Sequence, residues 1–326
     1  MRKLFKVLLI LLLVVAAGIA MVMVYVKNVL PNVGAAPDIK IALTKERVER
    51  GRYLANHVMV CMDCHSQRDW TVYGGPVKDG SFGGGGERFG KEMLFPGTIY
   101  SANITPYALG SWTDGEIFRA ITTGQNKKGK ALFPLMGYLS YGKMDQEDIY
   151  SVIAYLRTLQ PIANDVPERS LDFPLNFIVN TIPAKASLSP KPARTDEVAY
   201  GKYLVAMAKC SDCHSRIDKQ GNPVEGSEFG GGRSFHFPNG MVVTAPNITA
   251  DDETGIGSWT SDLFVQKFKR FSDSSYHPQK LGANDFNTPM PWLMFTGMDS
   301  SDLRAIFSYL RTVKKINNKI IRFAKE

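Results

Sequence analysis

Cysteine is scarce in this sequence, with only four among 326 residues. Four are too few for a secreted scaffold held together by disulfides. No cysteine is left over, and each pair is followed directly by a histidine: Cys61, Cys64 and His65, then Cys210, Cys213 and His214. The arrangement of the cysteines therefore carries more information than their number.

A strong excess of charge is also absent. The formal net charge is +8, and four of these charges flank one apolar run: Arg2, Lys3, Lys6 and Lys27. Much of the remainder lies after Arg311, in a stretch that we interpret as a solvated, frayed helix end. We therefore expect no nucleic-acid partner. The hydrophobic content of 44% indicates a globular protein, and the roughly 300 residues beyond the apolar run suffice for two domains.

The longest uncharged run lies near the N-terminus and has 20 residues, from Val7 to Val26. A helix of this length, at about 1.5 Å per residue, crosses a hydrocarbon core of about 30 Å. A cleavable signal peptide is the alternative, with a weak cleavage site at Gly18-Ile19-Ala20. We predict an uncleaved single-pass anchor over residues 1–27. The basic N-terminal side then stays in the cytoplasm, and residue 28 onward lies on the outer, periplasmic face of the inner membrane.

The rest of the chain contains an internal repeat with a period near 150 residues, which indicates a duplicated domain. Besides the cysteine motifs, four segments recur in the same order: Gly51-Arg52-Tyr53-Leu54 as Gly201-Lys202-Tyr203-Leu204, Asn103-Ile104-Thr105 as Asn247-Ile248-Thr249, Ser111-Trp112-Thr113 as Ser258-Trp259-Thr260, and Tyr155-Leu156-Arg157 as Tyr309-Leu310-Arg311. We predict domains over residues 40–160 and 193–313. The intervening residues 161–192 hold six of the 18 prolines and are interpreted as a linker, and residues 314–326 as a basic tail.

Helix signals cluster at the two ends of each copy, which predicts an all-α fold with long irregular loops between the helices. Thr44 in the first copy, and Thr195 or Asp196 in the second, can cap a helix that leads into the cysteines. The last helix of each copy begins with acidic residues at N-cap and N3 spacing: Asp145 with Asp148, and Asp299 with Asp302.

The two C-x-x-C-H motifs are signatures of covalent c-type haem attachment. The two thiols of each motif add to the haem vinyl groups as thioethers, and the histidine becomes the proximal iron ligand. A zinc site would need four ligands per motif, or all four cysteines gathered in one site. A thioredoxin-like redox pair would not be followed by histidine in both copies. We therefore predict two haem c groups, held by Cys61, Cys64, Cys210 and Cys213 and ligated by His65 and His214.

Each iron also needs a sixth ligand or a vacancy, and the candidates are two pairs of methionines, each 154 residues apart: Met136 with Met290, and Met144 with Met298. Met144 and Met298 precede the capping aspartates, where an apolar side chain packs on its own helix. Met136 and Met290 lie in proline-rich loops and can present sulfur to iron. We assign Met136 and Met290 as the axial ligands.

Each half of the chain resembles a class I cytochrome c domain, on the motifs given above and over residues 40–160 and 193–313. The whole resembles the cytochrome subunits of membrane-bound alcohol, gluconate and aldehyde dehydrogenases. The resemblance implies that the first helix crosses the last near a glycine and an aromatic residue: Gly51 with Tyr155, and Gly201 with Tyr309. Those subunits usually carry three haems, whereas this chain has two motifs and an N-terminal anchor.

These observations predict a membrane-anchored dihaem cytochrome that carries single electrons between a respiratory donor and an acceptor. The donor is expected to be a dehydrogenase or quinol-oxidising complex, and a terminal oxidase is one candidate acceptor. We expect an electron-transfer protein with no catalytic residues, possessing filled coordination positions at both irons. The alternative is a dihaem peroxidase or another haem oxidoreductase, which would need one open haem.

Overall fold

The computed structural model describes residues 2–218, 221–282 and 284–325. These residues are mainly helical. The α-helices are α1 (Arg2–Asn28), α2 (Lys45–Tyr53), α3 (Cys61–Cys64), α4 (Pro106–Leu109), α5 (Asp114–Thr123), α6 (Tyr138–Tyr141), α7 (Gln146–Arg157), α8 (Leu175–Ile178), α9 (Glu197–Met207), α10 (Cys210–His214), α11 (Ser261–Lys269), α12 (Trp292–Phe295) and α13 (Ser300–Leu310). A π-helical turn follows α2 over Leu54–Val58, and 3-10 turns cover Lys91–Met93 and Val179–Thr181.

Helix α1 is long and apolar enough to cross a membrane, and none of its side chains is buried. The residues that follow it are fastened to the first copy of the repeat. The side chain of Gln125 donates a hydrogen bond to the carbonyl of Pro31 at 2.7 Å, and the amide of Ile41 donates one to Asp114 at 2.8 Å. The chain therefore leaves α1 at a fixed place on the first copy.

In each copy, the first long helix crosses the last one at a glycine. A Cβ atom on Gly51 of α2 would lie 1.7 Å from the carbonyl oxygen of Ser151 in α7. A Cβ atom on Gly201 of α9 would lie 1.9 Å from the carbonyl oxygen of Ala305 in α13. Only glycine permits backbones this close. The crossing that the resemblance implied is present in both copies, with Tyr155 and Tyr309 beside the glycines.

Two small antiparallel sheets accompany the helices, so the all-α prediction is right only in part. The strands are β1 (Arg88–Phe89), β2 (Gly97–Tyr100), β3 (Ser170–Leu171), β4 (Ser234–His236), β5 (Met241–Thr244) and β6 (Phe323–Lys325), in the orders β1-β2-β3 and β4-β5-β6. Gly97 pairs with Leu171, and Val242 pairs with Ala324. The strands are two to four residues long, which is too short for an alternating pattern to show in the sequence.

The third strand of each sheet comes from the chain beyond the last helix of its copy. Helix α13 ends at Leu310, and the following residues lead without further helix into β6. The interpretation of this stretch as a frayed helix end is therefore wrong. Both returning segments are fixed by the repeated asparagines, since Asn103 donates to the carbonyl of Ile162 at 2.8 Å and Asn247 to that of Ile316 at 2.6 Å.

The two copies share one continuous apolar core, and they exchange the same pair of contacts across their interface. The hydroxyl of Tyr53 donates to the carboxylate of Asp302 at 2.8 Å, and that of Tyr203 donates to Asp148 at 2.8 Å. Asp148 and Asp302 are almost fully buried, at 0% and 1% exposure. The acidic residues that the sequence marks as helix starts thus also join the copies, in a pseudo-twofold arrangement.

Candidate haem-binding site

A left-handed residue precedes each cysteine helix. Val60 has φ 47° before α3, and Lys209 has φ 55° before α10. Neither is glycine, so each conformation costs on the order of 1–3 kcal/mol and has to be held by its surroundings. The two residues turn the chain sharply, so that each C-x-x-C-H motif starts a new short helix at the wall of a cavity.

The four thiols face the cavity, where Cys61 and Cys210 are half-buried and Cys64 and Cys213 are exposed. All four line the cavity and none forms a disulfide. Burial raises the pKa of Cys61, Cys64 and Cys210 to about 12, and it also raises the pKa of Cys213. Redox-active cysteine pairs have the opposite shift. Among the described residues, no cluster of three or more His, Cys, Asp or Glu side chains could hold a metal ion.

Both motif histidines are oriented by a backbone carbonyl. His65 Nδ1 lies 2.7 Å from the carbonyl oxygen of Ala102, and His214 Nδ1 lies 2.8 Å from that of Pro246. A carbonyl only accepts, so Nδ1 carries the proton and Nε2 carries the lone pair that a metal needs. Burial lowers the pKa of both histidines, which favours the neutral ring. The surroundings thus prepare both rings to ligate a metal through Nε2.

The repeated Asn-Ile-Thr motif explains why these carbonyls are fixed. Asn103 and Asn247 follow the accepting carbonyls directly. The side-chain oxygen of Asn103 accepts bonds from the amide and hydroxyl of Thr105 at 2.9 and 2.7 Å, and Asn247 holds Thr249 in the same way at 2.9 and 2.8 Å. The repeat is evident in the sequence, but its residues alone do not indicate a role. Its contacts show that it supports the histidine from behind.

Met136 and Met290 line the same cavity as the cysteines and histidines, and both are half-buried. Their loops are ordered locally, because the amide of Met290 donates to the hydroxyl of Thr288 at 3.1 Å and the amide of Tyr138 donates to the carbonyl of Met136 at 2.9 Å. Met144 and Met298 are buried in the core, at 3% and 1% exposure. Met298 also reaches the cavity wall.

One cavity of about 3150 Å³ reaches both motifs. All eight side chains assigned from the sequence lie on its wall: Cys61, Cys64, His65, Met136, Cys210, Cys213, His214 and Met290. The two halves of the cavity wall also meet, since Lys209, directly before Cys210, donates to the carbonyl of Leu135, directly before Met136, at 3.1 Å. Thiols, neutral imidazoles and thioethers around an apolar cavity form the donor set that a covalent haem requires. The residues present therefore fit two haem groups.

The charges around the two motifs differ. In the first copy Arg68 is hydrogen-bonded to Asp63, and its guanidinium lies 4.4 Å from the centre of the Trp70 ring. The indole of Trp70 donates to Glu87 at 2.7 Å. Burial raises the pKa of Asp63 to about 6, although Arg68 opposes the shift. This network leaves no local pattern in the sequence, because its members are spread over 25 residues.

The second copy has a cation where the first has a carboxylate. Arg233 occupies the position of Glu87 after the second glycine-rich stretch, and its guanidinium donates to the carbonyl of Asp212 at 2.5 Å. Lys209 lies 2.9 Å from the carboxylate of Asp212. Its Nζ also donates to the carbonyl of Leu135 at 3.1 Å, next to Met136 in the first copy. The second motif therefore contributes a cation to the loop of the first.

Comparison with known proteins identifies relatives over most of the chain. No protein-family model matches. The chain is 29% identical over 303 residues to the fructose dehydrogenase cytochrome subunit of Gluconobacter japonicus, which covers 86% of this chain and 56% of the relative. It is 28% identical over 298 residues to the cytochrome c subunit of a quinone-dependent alcohol dehydrogenase of Gluconacetobacter polyoxogenes, which covers 86% and 58%. A dihaem c-type cytochrome of Cereibacter sphaeroides is 26% identical over 198 residues, covering 58% and 63%.

These relatives confirm the resemblance that the motifs indicate. They are cytochrome c subunits of dehydrogenases and a dihaem cytochrome c, at modest identity. The chain spans just over half the length of the two dehydrogenase subunits, with coverage of 56% and 58%.

Proposed function

We propose that the chain is a membrane-anchored dihaem c-type cytochrome, which carries single electrons between a respiratory donor and an acceptor on the outer face of the inner membrane. The observation that carries this proposal is the shared cavity, whose wall holds two complete sets of cysteine, histidine and methionine side chains. The relatives are named as cytochromes, which supports the same role. We do not assign catalytic residues.

Each set of side chains has a separate task. The cysteine pair of each copy would hold one haem through thioethers, with His65 or His214 as the proximal ligand and Met136 or Met290 as the distal one. When bound, the haem supplies a ferrous–ferric couple. The apolar side chains of the wall would limit water at the haem, and a thioether ligand favours the ferrous state. With histidine and methionine both bound, each iron would have no open position for oxygen or peroxide.

The relatives and helix α1 support the proposed partners and location. Cytochrome subunits of fructose and alcohol dehydrogenases are similar over 86% of this chain, so a dehydrogenase subunit is the proposed donor. A quinol-oxidising complex or a terminal oxidase are the other proposed redox partners. An uncleaved α1 would keep both haems beside the membrane, and its basic N-terminal side favours the periplasmic orientation.

We also propose that each cytochrome domain extends beyond its last helix. The predicted domains over residues 40–160 and 193–313 leave out strands β3 and β6, which lie in the predicted linker 161–192 and tail 314–326. Both strands pair with a sheet of their own copy, and Ile162 and Ile316 accept equivalent bonds from the repeated asparagines. These contacts support domains that reach about residue 171 and residue 325.

Electron paramagnetic resonance of the oxidised protein in detergent tests the function. We expect two low-spin ferric haems that do not change on addition of hydrogen peroxide, together with two haem c per chain in a pyridine haemochrome assay. A high-spin haem that responds to peroxide would contradict the proposal and indicate an enzyme with one open haem.

Replacing the methionines tests the ligand assignment. Met136→Ala or Met290→Ala should abolish the methionine-to-iron charge-transfer absorption of one haem and lower its reduction potential by on the order of 100 mV. Met144→Leu and Met298→Leu are the matched controls, because they keep apolar volume in the core. Loss of the absorption in a control variant, with the band intact after the loop substitutions, would overturn the assignment.

A further inference from the structure

The first copy carries a cluster of exposed apolar side chains at one end of its sheet. We call it the apolar rim: Leu94, Phe173 and Ile178, which are 69%, 75% and 46% exposed. Leu94 lies in the turn between β1 and β2, Phe173 follows β3, and Ile178 ends α8. An ion pair of 2.8 Å between Lys91 and Asp172 holds this turn beside the residues that follow β3.

The segment that follows β3 has a composition that is unusual for a surface in water. From Phe173 through Ala184 there is no charged residue. The rings of Phe173 and Phe177 pack edge to face, with centres 6.2 Å apart, so the exposed ring has a fixed orientation. A cluster of exposed apolar side chains marks an interaction surface, whereas single ones are ordinary.

Helix α1 lies next to the apolar rim and indicates what covers the rim. Helix α8 and the following 3-10 turn pack against α1. Lys27, in the last turn of α1, lines the cavity mouth together with Leu175 and Ile178. The contact therefore involves the end of α1 from which the chain enters the first copy. If α1 crosses the membrane, the rim lies where α1 leaves it.

The second copy differs at the corresponding turn. Between β4 and β5 the chain turns through Pro238-Asn239-Gly240, and all three residues are exposed. This turn is closed by a bond of 2.9 Å from the amide of Phe237 to the carbonyl of Met241. A polar turn suits contact with water, so only the hairpin of the first copy has an apolar end.

We propose that the apolar rim inserts into the outer leaflet of the membrane that α1 crosses, so that the first copy contacts lipid. The inference rests on the proposed membrane anchoring. Interfacial segments of this kind place their apolar side chains about 5–10 Å into the boundary between headgroups and acyl chains. Leu94 and Ile178 also line the haem cavity, so the first haem site opens toward the lipid surface.

Cysteine accessibility in the full, haem-loaded chain tests this contact. Single cysteines replace Phe173, Ile321 and Val14, and each protein is placed in phospholipid nanodiscs and treated with a water-soluble maleimide. Ile321 is the matched control, because it is an apolar residue of the second copy with 81% exposure. Val14, in the middle of α1, reports on the anchor. The chain without an added cysteine is the blank, and a rate for each unfolded variant in denaturant corrects for local sequence.

The thiolate is the reacting species, and a rise of one unit in the thiol pKa at a low-dielectric surface lowers its fraction about tenfold. We therefore expect Phe173→Cys to react at least about tenfold more slowly than Ile321→Cys, with Val14→Cys unreactive. Fast reaction of Phe173→Cys with a protected Val14→Cys would overturn the proposed lipid contact of the apolar rim while leaving the membrane anchor in place. The rim would then be a surface for a protein partner. Fast reaction at all three positions would show that the anchoring itself is wrong.

Discussion

In the first copy the haem motif lies beside a buried network of Asp63, Arg68 and Glu87, whereas the second motif lies beside Lys209, Asp212 and Arg233. The first set holds two anions and one cation, and the second holds two cations and one anion. The backbone around the motifs is nevertheless the same, with a left-handed residue before the first cysteine and a carbonyl behind the histidine.

This difference separates residues that the scaffold needs in both copies from charges that we expect to make the two haem potentials unequal. Glycines, asparagines and interface tyrosines occur in both copies, because the scaffold needs them twice. The charges differ, and nearby positive charge favours the ferrous over the ferric state. We therefore expect the second haem to have the higher reduction potential, so that electrons pass from the first copy to the second. The apolar rim belongs to the first copy, which suits an entry site beside the membrane.

The largest expected effect comes from the helix crossings, where the copies are alike. Gly51→Ala and Gly201→Ala should each destabilise the protein by about 3 kcal/mol or more, because the added methyl would overlap a backbone carbonyl. Chemical unfolding followed by circular dichroism measures the change. Gly282→Ala is the control, since its Cβ would meet its nearest neighbour at 3.4 Å. A mild effect of either crossing variant would show that its helices can separate.

Asp148 and Asp302 occupy equivalent places at the interface of the two copies, but we expect them to contribute differently to stability. Burial alone would raise the pKa of Asp148, but hydrogen bonds from Arg50 and Lys191 hold it below its ordinary value. Burial raises the pKa of Asp302, against the opposing bond from Tyr53. Asp148→Asn should therefore cost about 2 kcal/mol at pH 7, and Asp302→Asn less.

The two aspartates should affect the pH dependence of the unfolding free energy with opposite signs. The stabilisation from Asp148 is present above its unfolded pKa and is lost as pH falls through the lower folded pKa. The raised pKa of Asp302 means that its ionised form opposes folding, so its protonation on acidification favours the folded state. Unfolding free energies measured from pH 7 down to pH 3 should decline less steeply in Asp148→Asn than in the parent. Equal losses and equal slopes for the two variants would contradict the assignment.

Repetition explains which features could be predicted from the sequence. Features that occur twice, such as C-x-x-C-H and Gly51 with Gly201, can be recognised within a single sequence. The structure places both motifs on one cavity wall and both glycines at helix crossings of the same kind. Strands β3 and β6 gave no such signal, because each is defined by its partner rather than by its own few residues. Residues that are not repeated, such as Arg68 or Arg233, can be assigned a role only once the fold places them beside a motif. The pairing of Tyr53 with Asp302 spans 249 residues, which no local pattern reveals.

Charge substitution tests the expected difference in potential. Glu87→Gln removes a carboxylate from the first site and should raise the potential of its haem, whereas Arg233→Gln removes a cation from the second and should lower that of its haem. Each shift should be on the order of 50 mV, which is the size that a unit charge produces across roughly 10 Å at an effective dielectric constant near 20. Spectroelectrochemical titration resolves the two haems. Shifts of the same sign in both variants would show that the local charges do not order the potentials.

The smallest expected effect concerns the contact that Lys209 of the second copy makes with the methionine loop of the first copy. Lys209 is 19% exposed, and its Nζ donates to the carbonyl of Leu135, which precedes Met136. A Cβ on Gly137 would lie 2.5 Å from Lys209 Cδ, so the glycine leaves room for this side chain. The corresponding residue of the first copy is Val60, which has no group to donate such a bond. The second copy therefore fixes the methionine loop of the first by a contact that is not returned.

Replacing Lys209 should loosen Met136 even though the two residues belong to different copies. In a Met290→Ala background, where only the first haem keeps its methionine, Lys209→Met should weaken methionine ligation by about 1 kcal/mol. Imidazole should then displace Met136 at about a fivefold lower concentration, seen as loss of the charge-transfer absorption. Lys267→Met is the control, because that lysine lies over the Trp259 ring of the second copy at 5.4 Å. If both variants shift the imidazole midpoint equally, the effect is one of net charge, and the loop of Met136 is held by the first copy alone.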